Sequence, residues 1–174
     1  KELTQLKRAF SKWGVFDHFL GKFRFIRIND NSTKAIYQFS EFCDIDSLPV
    51  TLPYYGGILL GFLRKEFEPS LHFAQIVSQN SRIFKYVRVS QIAERLVTYG
   101  RDIIGTSISD YRVEHENELV LILNNFGDAI GLGRTRFNPE LIKNNQITVT
   151  NLLDIGTYLR DEDAWSKNRS SNSS

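Results

Sequence analysis

Apolar and polar positions alternate in two distinct rhythms along this chain. Residues 2 to 13 place Leu3, Leu6, Phe10 and Trp13 at helical spacing, with Lys7, Arg8 and Lys12 elsewhere on the wheel, and Gly14 stands where such a helix would stop. The rhythm then shortens. Phe23 to Ile28 and Lys34 to Phe39 read as two strands joined by the turn-forming run Asn29-Asp30-Asn31-Ser32, a β-hairpin. Pro49 and Pro53 punctuate a loop. Ile58 to Leu63 reads as a buried strand, Glu66 to Ser70 as a turn, and Leu71 to Val77 as a further strand. The first half is therefore α+β, helices against a mainly antiparallel sheet.

The second half is richer in short strands. Tyr86 to Val89 alternates like a strand. Ser90 is suited to cap a helix over Gln91 to Tyr99, whose Ile92, Leu96 and Tyr99 form an apolar stripe, and Gly100 is suited to end it. Asp102 to Gly105 is short and apolar. Glu118 to Leu123 and Ala129 to Arg136 flank the turn Asn124-Asn125-Phe126-Gly127-Asp128, a second hairpin. Ile147 to Val149 is β-prone, and Asp154 is placed to cap a last helical turn through Arg160. Ser78 to Arg82 is polar enough to join two units, predicted as residues 1–80 and 83–162. Residues 163–174 form a polar, low-complexity tail expected to be disordered.

Composition narrows the chemistry. The chain has 174 residues, 41% of them hydrophobic, and no apolar run approaches the roughly 18 residues of a membrane span. Its first 20 residues have no apolar block before a cleavage site, and Cys43 is the single cysteine, so a reducing, cytoplasmic setting is the expectation. Net charge is +2, with 11 basic against 8 acidic groups in residues 1–82 and 11 against 12 in residues 83–174. That balance does not announce a polyanion, but a local basic face on a neutral domain would still attract one.

No catalytic constellation emerges. His18 and His115 lack metal-ligand spacing, His72 reads as a structural histidine within an apolar strand, and Asp44-Ile45-Asp46 reads as turn chemistry. Gly127 to Gly133 is followed by no Lys-Ser/Thr pair and opens no helix, which sets aside a phosphate loop and a dinucleotide fingerprint. The glycines have another use. Gly131 and Gly133 face one side of a strand and let another backbone, protein or nucleic acid, approach closely. By the same period Arg134 and Arg136 share the opposite side, in line with Leu132, and paired guanidiniums can clamp a phosphate. Two solvated arginines beside a bend in a small barrel is the equally weighted alternative.

Phe126 to Arg136 followed by Asp154 to Arg160 resembles the end of a PUA domain, a compact RNA-binding β-barrel. Over nearly its whole length the chain resembles the Nip seven family of archaeal and eukaryotic ribosome-biogenesis factors. The match rests on Leu60 to Lys65 leading to Leu71-His72-Phe73, on Tyr99 to Ile104, on Asp128 to Gly133, and on Asp154 to Arg160. The resemblance implies an N-terminal α/β domain joined to a PUA-type β-barrel. It also implies a non-catalytic monomer without cofactor that binds single-stranded, uridine-rich RNA during large-subunit assembly. Other assembly proteins would be its partners through the first domain, with no membrane involved. Such a protein would be cytoplasmic in an archaeal cell and nucleolar in a eukaryotic one. The family's basic cluster maps onto Arg134, Arg136 and Lys143. PUA domains in general point to Arg101 next, and Arg88 ranks third. Phe137, beside the arginines, is a candidate for stacking. Two alternatives stay open: a component of an RNA-modifying enzyme, and a protein-interaction adaptor using Tyr54, Tyr55 and Phe62.

Overall fold

The computed structural model describes residues 2–19, 24–30, 33–39, 57–82, 84–136, 145–157 and 160. Expectations at Cys43, Pro49, Pro53, Tyr54, Tyr55, Phe137 and Lys143, and for residues 163–174, lie outside those residues. The chain divides into two compact units, Lys1–Phe84 and Lys85–Ser174.

The first unit opens with α1 (Glu2–Lys12) and the short α2 (Phe16–Phe19), continues through β1 (Arg24–Asp30), β2 (Thr33–Phe39), β3 (Ile58–Leu63) and β4 (Phe67–Pro69), and ends in α3 (Leu71–Asn80). The four strands pair antiparallel in sequence order. Rings from both chain ends of the unit meet over this sheet. Phe10 lies 4.8 Å from Phe19 and 5.2 Å from Phe73, and Phe67 lies 5.0 Å from Phe73. Close ring pairs of this kind add to the area each aromatic buries.

One stretch departs from its expected state. Leu71 to Val77 is helical, not extended, and the expected turn before it contains β4. Ser70 decides the matter. Its Oγ accepts the Phe73 N–H at 3.2 Å and donates to the Leu59 carbonyl at 2.6 Å, so one hydroxyl caps α3 and ties it to β3. The apolar run is dense enough to suit either period, and the cap selects the helix. His72 thus sits on α3, where partial burial lowers its pKa from the ordinary value.

The second unit is a curled sheet of six strands in the order β6-β10-β9-β8-β5-β7. The elements are β5 (Tyr86–Val89), α4 (Gln91–Thr98), β6 (Ile103–Ile104), a 3-10 turn (Gly105–Ser107), β7 (Ile108–Arg112), β8 (Leu119–Leu123), β9 (Ala129–Thr135) and β10 (Ile147–Asp154). All neighbours are antiparallel except β5 and β8. Ser90 caps α4 by accepting the Ala93 N–H, and Gly100, at φ 78°, ends it. Ala93 and Val97 turn α4 into the core of Val87, Val89, Val120 and Ile122. The Ile92, Leu96 and Tyr99 stripe faces outward instead.

The β8–β9 turn is set by one side chain. Asn124 Oδ1 accepts the N–H groups of Phe126 and Asp128, both at 2.9 Å, and Gly127 takes φ 91°, a conformation that suits glycine. That fixes the register of β9 and so the positions of Arg134 and Arg136.

Candidate nucleic-acid interface

The glycines of β9 shape this site through β10. A Cβ on Gly131 would lie 2.8 Å from the Leu153 carbonyl oxygen. One on Gly133 would lie 2.5 Å from Val149 Cγ1 and 2.9 Å from the Thr150 carbonyl oxygen. The backbone that approaches is therefore the protein's own. β10 presses across β9 and carries a bulge there: Asn151 pairs with Gly133 and Leu153 with Leu132, leaving Leu152 as the extra residue.

On the exposed side, Arg134 and Arg136 line one open cleft of about 380 Å³ together with Glu116, Asn117, Thr150 and Leu152. The predicted pairing of the two arginines on the face away from the glycines holds. Arg134 Nη1 donates to the Asn117 carbonyl at 3.0 Å and approaches the Asn117 side-chain oxygen at 3.5 Å. Among the described residues no carboxylate forms an ion pair with it. Arg136 is more constrained. Its Nε donates to Thr150 Oγ1, and its Nη2 lies 3.6 Å from Asp102 Oδ2. The cleft is thus mixed in charge, because Glu116 lines it and Asp102 holds one of its two arginines.

The loop that faces Arg134 is tightly framed. Asn117, at φ 60°, donates its N–H to the Thr135 carbonyl at 2.9 Å. Thr135 Oγ1 accepts the Glu118 N–H at 2.8 Å and donates to the His115 carbonyl at 3.1 Å. The Glu118 carboxylate accepts the N–H groups of Glu114 and His115 and meets Lys85 Nζ at 3.4 Å. Desolvation pushes the Glu118 pKa up, but those two N–H groups and the Lys85 ammonium outweigh it and hold it below the ordinary value. Lys85 responds in the opposite sense. Desolvation opposes its charge, but Glu114 at 2.6 Å and Glu118 raise its pKa. The framed loop points the Asn117 oxygens at Arg134 and leaves the remaining guanidinium donors toward the cleft.

The other predicted positions divide. Arg101 stands between α4 and β6, exposed. Its carbonyl accepts from Asn151 Nδ2 at 3.4 Å, and the next residue, Asp102, accepts the Asn151 N–H at 2.9 Å while reaching Arg136. Asp102 therefore reaches Arg136 across β10, whereas Arg101 is tied to that edge through its backbone carbonyl. Arg88 does not. It stands on β5, separated from β9 by β8. Its Nη1 lies 3.9 Å from Asp110, and its guanidinium lies 5.8 Å from the Tyr86 ring centroid. Tyr86 donates to Asp110 at 2.8 Å, and burial first, then that carboxylate, raises its pKa. Sequence reasoning missed Glu116, Asn117, Thr150 and Leu152. An Asn inside a charged turn is a signal for a left-handed residue, but the other three become visible only through strand register.

At the far end of β10, Asp154 and Arg160 form a latch. Asp154 is buried. Its carboxylate accepts Gly156 N–H at 2.8 Å, Asn151 Nδ2 at 3.2 Å and Arg160 Nη2 at 2.8 Å, and Arg160 Nη1 donates to the Thr98 carbonyl closing α4. The latch is structural, and Asp154 accepts the Gly156 N–H in the capping position expected of it. Among the described residues no group of His, Cys, Asp and Glu is arranged to hold a metal ion, and no helix is long and apolar enough to cross a membrane.

Comparison with known proteins places this architecture. Residues 85–163 match the UPF0113 PUA domain. A UPF0113 protein of Archaeoglobus fulgidus is 31% identical over 168 residues, covering 95% of this chain and 94% of the relative. The chain belongs to the UPF0113 family. A conserved PUA domain protein from Thermoplasma acidophilum shares its fold with a TM-score of 0.64 at 14% identity, over 90% of this chain and 92% of that one. A hypothetical protein from Pyrococcus horikoshii does so with a TM-score of 0.61, also at 14% identity, over 91% and 90%. The UPF0113 chain is thus an α+β protein with a PUA domain over residues 85–163, and the arginine cleft, the bulge and the latch all lie inside that domain.

Proposed function

We propose that this UPF0113 protein is a non-catalytic RNA-binding factor of the Nip seven type, acting in large-subunit assembly through its PUA domain. PUA domains generally bind RNA. The observation that carries the reading here is that Arg134 and Arg136 line the same open cleft. A guanidinium that keeps free donors toward solvent is suited to phosphate oxygens, and two on one strand face match a flexible single strand better than a rigid duplex. Uridine-rich RNA is the substrate this reading takes from the family resemblance. The first unit is left to protein partners of the assembly pathway, in a cytoplasmic, archaeal-type setting.

Arg134 carries most of the binding in this reading and Arg136 less, because Asp102 already engages it. Lys143 and Arg101 supply further charge. Three phosphate contacts would give a log–log salt slope of about −2 for a single strand, and the two cleft arginines alone about −1.4. The test is fluorescence anisotropy with a labelled single-stranded RNA across a salt series. Arg134→Ala should weaken binding more than Arg136→Ala, and each should flatten the slope. Unchanged affinity in the double variant rules this face out. Turnover of labelled RNA by the isolated chain would favour an RNA-modifying activity instead.

A further inference from the structure

The bulged residue is an aliphatic side chain in an otherwise polar cleft. Leu152 is 51% exposed and lines the same walls as Arg134, Arg136 and Asn117. Its placement follows from the sequence of β9. Missing side chains at Gly131 and Gly133 let β10 sit close, and the register then gains one residue between Asn151 and Leu153. A bulge re-aims a side chain that regular pairing would place elsewhere. Thr150, two residues earlier, holds Arg136 through its Oγ1, so the same short segment sets both an apolar contact and a cation.

The geometry points to Leu152 as the residue that selects unpaired nucleotides: it packs on the face of one extruded base while Arg134 holds an adjoining phosphate. The inference rests on the RNA-binding reading above and adds a base contact to it. Two features favour a base over a further phosphate beside Leu152. An alkyl side chain gains nothing from a phosphate but gains from covering the apolar face of a heterocycle. Glu116 lines the same cleft, and its negative charge disfavours any phosphate beyond those held by the two arginines, while a carboxylate can accept a hydrogen bond from an N–H on a base edge. A base inside a duplex has both faces covered by its neighbours, so only an unpaired or looped-out base can meet Leu152.

The experiment compares the full chain with Leu152→Ala, Leu152→Met and Arg134→Ala. The probes are a single-stranded RNA, the same strand with abasic sites, and a duplex of equal length, at one fixed salt concentration. Leu152→Ala should weaken binding to the intact single strand by about five- to tenfold, and Leu152→Met should keep it. Neither should alter the salt slope. On the abasic strand, which keeps every phosphate, wild type and Leu152→Ala should bind alike. Equal loss on intact and abasic strands, or no loss on either while Arg134→Ala still weakens binding, overturns the role of Leu152 and leaves the RNA-binding reading standing. Binding indifferent to Arg134 as well overturns both. Thermal melting of Leu152→Ala within a few degrees of wild type shows that the comparison reports binding, and loss with the Met variant equal to that with Ala also counts against the inference.

Discussion

Asp102 restrains the cleft, and releasing it should strengthen RNA binding. Its Oδ2 lies 3.6 Å from Arg136 Nη2, and its Oδ1 accepts the Asn151 N–H at 2.9 Å. Asp102→Asn removes the charge and keeps an acceptor for that N–H. Two effects then add. Arg136 no longer has to leave a partly exposed ion pair, which is worth about 0–1 kcal/mol. A phosphate on Arg136 no longer faces a carboxylate roughly 6–7 Å away, a repulsion of about 0.6 kcal/mol in water and more near a protein surface. Together about 0.5–1.5 kcal/mol becomes available, or roughly two- to tenfold in affinity. The assay is anisotropy with single-stranded RNA at several salt concentrations. Affinity should rise while the log–log slope stays near wild type, because Arg136 meets the same phosphate in both proteins and only holds it more tightly in the variant. The melting temperature should stay near wild type, because the Asn151 contact survives. Unchanged affinity would mean that Arg136 meets no phosphate, and the cleft would then rest on Arg134 alone.

Three further outcomes follow from the latch and the loop. Gly156→Ala should unfold or strongly destabilise the PUA domain in a thermal melt, since its Cβ would fall 1.9 Å from the Thr98 carbonyl oxygen; a wild-type melt would contradict the described packing. Arg160→Ala should cost about 2–4 kcal/mol by chemical denaturation, because it strips the buried Asp154 of its cation and leaves it, among the described residues, with Gly156 N–H and Asn151 Nδ2 as donors. The Glu118 pKa lies below its ordinary value of 4.5, so its stabilisation is in full force above that value and is lost as pH falls through the lowered folded value. Amides of residues 114–118 should therefore lose exchange protection as pH falls below 4.5 in wild type and change much less in Glu118→Gln.

What the sequence made legible was local chemistry. The hairpin around Asn124 to Asp128 could be read because one Asn side chain and one Gly define it within five residues. Capping by Ser90 and the outward pair Arg134 and Arg136 could be read for the same reason, since each depends on spacing along a single element. α3 is the stretch where two periods compete, and the deciding contact, Ser70 Oγ to the Leu59 carbonyl, joins residues 11 apart. The cleft's other half was hidden by distance along the chain. Asp102 meets Arg136 across β10, Asn117 meets Arg134 across 17 residues, and Leu152 turns outward only because β9 and β10 pair out of step. The glycines were read correctly as sites of close approach, with the identity of the approaching backbone left to the fold.

The central claim is that RNA lies on the exposed side of β9 and β10. Ultraviolet crosslinking of the full chain to a uridine-containing single strand, with mass spectrometry of the attached peptides, tests it most directly. The account predicts adducts on the peptides that carry Asn117, Arg134 to Arg136 and Thr150 to Leu152, lost in the Arg134→Ala, Arg136→Ala double variant. Adducts confined to the β5 and β7 face around Arg88, or to residues of the first unit, would contradict it.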